Sequence, residues 1–122
     1  MRTIKFRGKR IKDGRWVYGY LSGACQITTT LQSSEGNAVH LVKRETIGQF
    51  TGLFDNNGNE IYEGDIVSPT KYKSISNEVE YISNGFYRTA EQNGQKYVNP
   101  LGNCEVIVIG DKHTEYIKQV IF

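Results

Sequence analysis

Hydrophobic and polar residues alternate with a period of two along much of this chain, the spacing that sends successive side chains to opposite faces of a β-strand. From Thr3 to Arg7 the apolar positions are Ile4 and Phe6, with Thr3, Lys5 and Arg7 between them. A half-buried strand is predicted there, its cations Lys5 and Arg7 aimed at water and its apolar side chains at the interior. A second alternation over Arg15 to Leu21 sets Trp16, Tyr18 and Tyr20 against Val17, Gly19 and Leu21. Between the two, Lys12-Asp13-Gly14-Arg15 is a turn sequence, because Asp-Gly accepts the positive φ of tight hairpins. Gln26 to Leu31 is Thr-rich, which suits an exposed strand. Ser33 to Asn37 reads as a polar turn and Val39 to Val42 as another short strand.

The second half continues in the same manner. Asn57-Gly58 predicts a hairpin, since both residues tolerate the left-handed region. Ile61 and Tyr62 resume the chain, and Ile66-Val67 form a buried strand ended by Pro69. Glu78 to Ile82 and Phe86 to Arg88 flank a turn at Ser83-Asn84-Gly85, and Asn93-Gly94 makes a further turn. Val106 to Ile109 is the most apolar run and is read as a central strand. Tyr116, Ile117, Val120 and Ile121 fit either a short C-terminal helix or a final strand. Thirteen glycines and closely spaced turn dipeptides point to a mostly β, small barrel-like or SH3-like domain built of hairpins.

Composition sharpens this picture. A chain of 122 residues fits a single domain, 1–122, and buries about two-thirds of its unfolded surface without metal or disulfide staples. Eight tyrosines, five phenylalanines and one tryptophan supply a core of modest aliphatic content. No apolar run approaches the ~20 residues that span a bilayer, and no apolar segment follows the basic N-terminus as in a signal peptide. Cytoplasmic location is the expectation. The two cysteines, Cys25 and Cys104, are expected to be small core residues, and no metal site or cofactor is expected from their spacing.

Several segments together resemble one family. The run Thr51-Gly52-Leu53-Phe54-Asp55-Asn56-Asn57-Gly58-Asn59-Glu60-Ile61-Tyr62-Glu63-Gly64-Asp65-Ile66-Val67 resembles the hallmark of the YopX family. Ile4-Lys5-Phe6-Arg7-Gly8 with Gly14-Arg15-Trp16-Val17-Tyr18-Gly19 looks like the family's opening, and Thr46 to Gly52 like the approach to the hallmark. Glu105 to Asp111 is similar to its closing strand, although His113-Thr114-Glu115 stands where the family usually has Asn-Pro-Glu. Residues 68–104 lie outside these motifs. The resemblance implies an all-β scaffold and a phage or prophage origin, and it brings no biochemical activity with it.

Candidate chemistry is sparse. Asp55, Glu60, Glu63 and Asp65 are close in sequence, but an EF-hand counted from Asp55 fails, with Glu60 at the sixth place and Ile66 at the twelfth. The simpler expectation is that Asp55 and its Asn neighbours shape the turn while the acids solvate its rim. His40 and His113 stand in no nucleophile-activating motif, and both phosphate-cradling Gly-rich patterns are missing.

Charge gives the best functional lead. Arg2, Lys5, Arg7, Lys9, Arg10, Lys12 and Arg15 face one acid, Asp13, so the first fifteen residues carry +6 within a chain of net +2. Lys5, Arg7, Lys9, Arg10, Lys12 and Arg15 with Trp16 form a candidate nucleic-acid-binding set, cations beside aromatic stacking surfaces. Three to five phosphate contacts would give a salt slope of roughly −2.7 to −4.5 on duplex DNA. A blunted edge strand with core aromatics is the bland alternative. The expectation is therefore a non-enzymatic, phage-type accessory protein that binds nucleic acid through its basic N-terminal hairpin. The alternatives are a protein-interaction or assembly module, including a homo-oligomer, and an enzyme that uses Glu60 and Glu63.

Overall fold

The computed structural model describes residues 4–30, 37–69 and 76–113. These residues form eleven strands: β1 (Phe6–Lys9), β2 (Trp16–Gly23), β3 (Gln26–Thr30), β4 (Asn37–Leu41), β5 (Gly48–Phe54), β6 (Glu60–Tyr62), β7 (Asp65–Pro69), β8 (Asn77–Ile82), β9 (Gly85–Gln92), β10 (Gln95–Pro100) and β11 (Val106–Asp111). One 3-10 turn, Arg44–Thr46, precedes β5. The expected mostly β class is the observed one, and the pairings β1–β2, β1–β5, β2–β3, β3–β4, β7–β8, β7–β11, β8–β9 and β9–β10 are antiparallel. Neither sheet closes into a barrel among the described residues. The segment 116–121 and most of the expected Ser33–Asn37 turn lie outside the described residues.

The chain divides into two compact units, Met1–Phe50 and Thr51–Phe122, with the division falling inside β5. In the first unit the strand order is β4-β3-β2-β1-β5. Its buried centre is Ile27 and Val42, and a Cβ on Gly8 would press on both. Gly19 is fixed by close approach: a Cβ there would overlap the Thr28 carbonyl of the neighbouring strand. The Thr-rich strand expected to be exposed is in fact an inner strand. Ile27 and Thr28 are buried in it, because β2 and β4 flank it on both sides.

In the second unit β5 pairs with β6, and a five-stranded sheet runs β10-β9-β8-β7-β11. Ile61, Val67, Val79, Leu101 and Val106 make its core, with Leu53, Phe86 and Val108 packed against them. Among the described residues Val106–Asp111 lies at the edge of its sheet and not at the centre its apolar run suggested.

The turns obey finer rules than the dipeptide signals. Asn93 and Gly94 both have positive φ, 54° and 78°, as a two-residue type I′ hairpin requires. In the preceding hairpin Ser83 and Asn84 take those roles, at 47° and 69°, and Gly85 already belongs to β9. At Asn57-Gly58 only Gly58 is left-handed, at 84°. Asp55 N–H donates to the Asn59 carbonyl at 2.8 Å, enclosing a three-residue loop.

Candidate nucleic-acid interface and the hallmark turn

Antiparallel register decides which side chains share a face. Arg7 lies opposite Tyr18 and Lys9 opposite Trp16. Alternation along β2 adds Tyr20, which lies opposite Thr28 of β3. Arg7, Lys9, Trp16, Tyr18 and Tyr20 therefore share one face of the first unit. Their environments differ from expectation. Ile4 is 65% exposed and Arg7 only 6%, so the outward strand face predicted for Arg7 is wrong. The Arg7 guanidinium stacks on Trp16, 4.1 Å from the ring centroid, and the Lys9 ammonium lies 5.3 Å from the same ring. Lys5 sits 5.3 Å over the buried ring of Phe50. Cation–π attraction thus turns these three side chains along the protein surface and into it.

The remaining cations belong to the β1–β2 turn. Gly14, at φ 73°, lets its N–H donate to the Arg10 carbonyl at 2.8 Å. Arg10 forms a two-pronged ion pair with Asp13, whose carboxylate also accepts the Arg15 N–H at 3.0 Å. The Arg10 hydrogen bond, then that of Arg15, holds the Asp13 carboxyl down at about 2. Lys12 is exposed, and the Arg15 side chain is 81% exposed.

A groove of about 390 Å³ opens beside this turn. Arg10, Arg15, Trp16, Val17, Tyr18, Thr29 and His40 line it. Three of the predicted residues, Arg10, Arg15 and Trp16, converge there. Arg7 and Lys9 support Trp16, while Lys5 and Lys12 are not among its walls. Sequence reasoning missed Thr29 and His40, which reach the groove only through the pairing of β3 with β4 and β2. Tyr18 and Tyr20 extend the aromatic row and are 42% and 48% exposed.

The acidic hallmark segment has a different geometry. Asp55 is fully buried. Its carboxylate accepts the N–H groups of Asn57 at 2.9 Å, Asn59 at 2.8 Å and Val108 at 3.0 Å, and the Asn59 side-chain amide at 3.2 Å. Burial alone would raise its pKa; the bonds from Val108, Asn59 and Asn57 outweigh it and lower the value. Asp65, 2% exposed, accepts the Tyr62 N–H at 2.8 Å. The expectation that Asp55 shapes the turn holds; the expectation that these acids solvate its rim fails for Asp55 and Asp65. Glu60 accepts the Tyr62 hydroxyl at 3.0 Å, and neither Glu60 nor Glu63 lines the groove. Among the described residues no group of three or more His, Cys, Asp or Glu is placed to hold a metal ion.

The cysteines also depart from expectation. Cys25 is only partly buried, and Cys104 is exposed in a turn at φ 61°. That turn is positioned by backbone bonding, Cys104 N–H to the Phe54 carbonyl at 2.8 Å, so it is the main chain at this position that is held.

The model of the family described as YopX protein matches residues 5–115. The chain belongs to the YopX family. The match runs through residues 68–104, where the sequence motifs of that family were not legible. No curated protein matches the chain. Among solved structures it is similar to one titled "Crystal structure of protein EF1440 from Enterococcus faecalis". The identity is 20%, the TM-score 0.44, and the match covers 95% of this chain and 97% of that one. No helix among the described residues is long and apolar enough to cross a membrane.

Proposed function

We propose that this YopX-family chain is a non-enzymatic, phage- or prophage-encoded accessory protein of the host cytoplasm that binds single-stranded nucleic acid in the groove beside its β1–β2 turn. The observation that carries the reading is the convergence of Arg10, Arg15, Trp16, Tyr18 and His40 on one groove, with Tyr20 continuing the exposed aromatic row. Bases have π-faces that stack on such rings whatever their identity, and guanidinium groups follow the phosphates. A small SH3-like scaffold for the first unit is part of the proposal. It is supported by the bridge between Arg10 and Val42, which brings the chain just after β1 to the chain just after β4.

The burial of Arg7 changes the test. Reversing Arg7 would perturb the stack on Trp16, so the informative cations are Arg10, Lys12 and Arg15. Fluorescence anisotropy with labelled single-stranded DNA and RNA should show binding that weakens with salt. Three phosphate contacts give a slope of about −2.1 on single strands. Arg15→Glu should lower that slope by about one contact, and Tyr18→Ala should weaken binding roughly tenfold through a lost stack. Absence of binding at about 50 mM salt, or binding indifferent to both substitutions, contradicts the proposal.

A further inference from the structure

In the second unit the hairpin of β9 and β10 ends its sheet on a strand exposed along its whole length. The type I′ turn at Asn93-Gly94 makes Gln92 and Gln95 a hydrogen-bonded pair. Antiparallel alternation then directs the N–H and C=O groups of Gln95, Tyr97 and Asn99 to β9 and those of Lys96 and Val98 outward. Tyr97 and Val98 are 47% and 48% exposed. At the other end of the sheet, β11 is closed: Asn56 N–H donates to the Val106 carbonyl and Val108 N–H to the Asp55 carboxylate.

We propose that β10 pairs antiparallel with β10 of a second copy of this chain, about a twofold axis at Tyr97. In that register Lys96 and Val98 of one copy exchange both backbone bonds with Val98 and Lys96 of the other, four bonds in all. Tyr97 then faces itself as a cross-strand aromatic pair. No like charges oppose each other, since Lys96 meets Val98 and Gln95 meets Asn99. Pro100, which has no N–H, falls outside the paired residues. Because β11 is sealed, the pairing is isologous and closes at two copies instead of growing into a fibre. One strand pair is a small contact, so the dimer is weak and concentration-dependent.

Sedimentation velocity from about 10 μM to 1 mM reads the association directly. The wild type is expected to pass from monomer to dimer. Val98→Pro removes an N–H that alternation directs away from β9 and that no bond among the described residues uses, and should leave a monomer with unchanged far-UV circular dichroism. Tyr97→Lys and Tyr97→Glu should each be monomeric, and an equimolar mixture of the two should dimerise, because the twofold axis sets position 97 against itself. If Val98→Pro unfolds, this pair of surface substitutions still decides. A wild type that stays monomeric throughout overturns the proposal. So does a dimer indifferent to these substitutions, or a mixture that fails to associate.

Discussion

The two ends of the five-stranded sheet, β11 and β10, are finished in different ways. At β11 a loop from the β5–β6 hairpin supplies an N–H for the Val106 carbonyl and a buried carboxylate for the Val108 N–H. The register also shifts between Val108 and Gly110, a bulge that interrupts the edge. At β10 all six residues are exposed, and alternation directs the backbone groups of Lys96 and Val98 away from β9. An unpaired edge is a template for another chain, so proteins close the edges they do not use. The hallmark sequence is therefore first a structural device. Asp55 holds its own loop and β11 at once, which accounts for Asp followed by two Asn and a Gly without invoking catalysis.

The difference can be broken from either end. The largest effect is expected for Asp55→Ala, which leaves three backbone N–H groups without their buried acceptor. Unfolding by urea should show a loss of about 3 kcal/mol, with association appearing as β11 opens. An unchanged midpoint would mean the carboxylate is dispensable. Gly58→Ala forces a side chain into the left-handed region at φ 84° and should cost about 1–2 kcal/mol in the same assay. The lowered pKa of Asp55 predicts a pH effect of definite sign. Its stabilisation is fully present above the unfolded carboxylate value of about 3.9 and is lost as pH falls through the lower folded value. Melting temperatures should accordingly fall below about pH 4, and Asp55→Asn should flatten that decline. Least of all is expected at the open edge, where Tyr97→Lys should change stability by no more than about 0.5 kcal/mol.

β1 and β2 were legible from their alternation, β7 and β11 from short apolar runs, and β8 from the turn that follows it. β10 was not, since a strand exposed on both faces has no pattern to impose on its residues. The edge position of β11 was hidden for the opposite reason: a loop covers it, so its apolar run looks like that of a central strand. At the candidate interface, alternation correctly put Lys5, Arg7 and Lys9 on one side and Trp16, Tyr18 and Tyr20 together. It gave no means to see that Trp16 would draw the Arg7 guanidinium inward, because that depends on the register of two strands. His40 reached the groove through pairing across a segment whose length carries no such information.

Backbone amide exchange in the wild type, followed by mass spectrometry or NMR at dilute, monomeric concentration, compares the two edges directly. Val108 N–H, held by Asp55, should exchange slowly, close to the rate set by global unfolding, while Val98 N–H should exchange nearly as fast as an open strand edge allows. Equal rates at the two amides, or rapid exchange at Val108, would contradict the assignment of Asp55 as the lock on that edge.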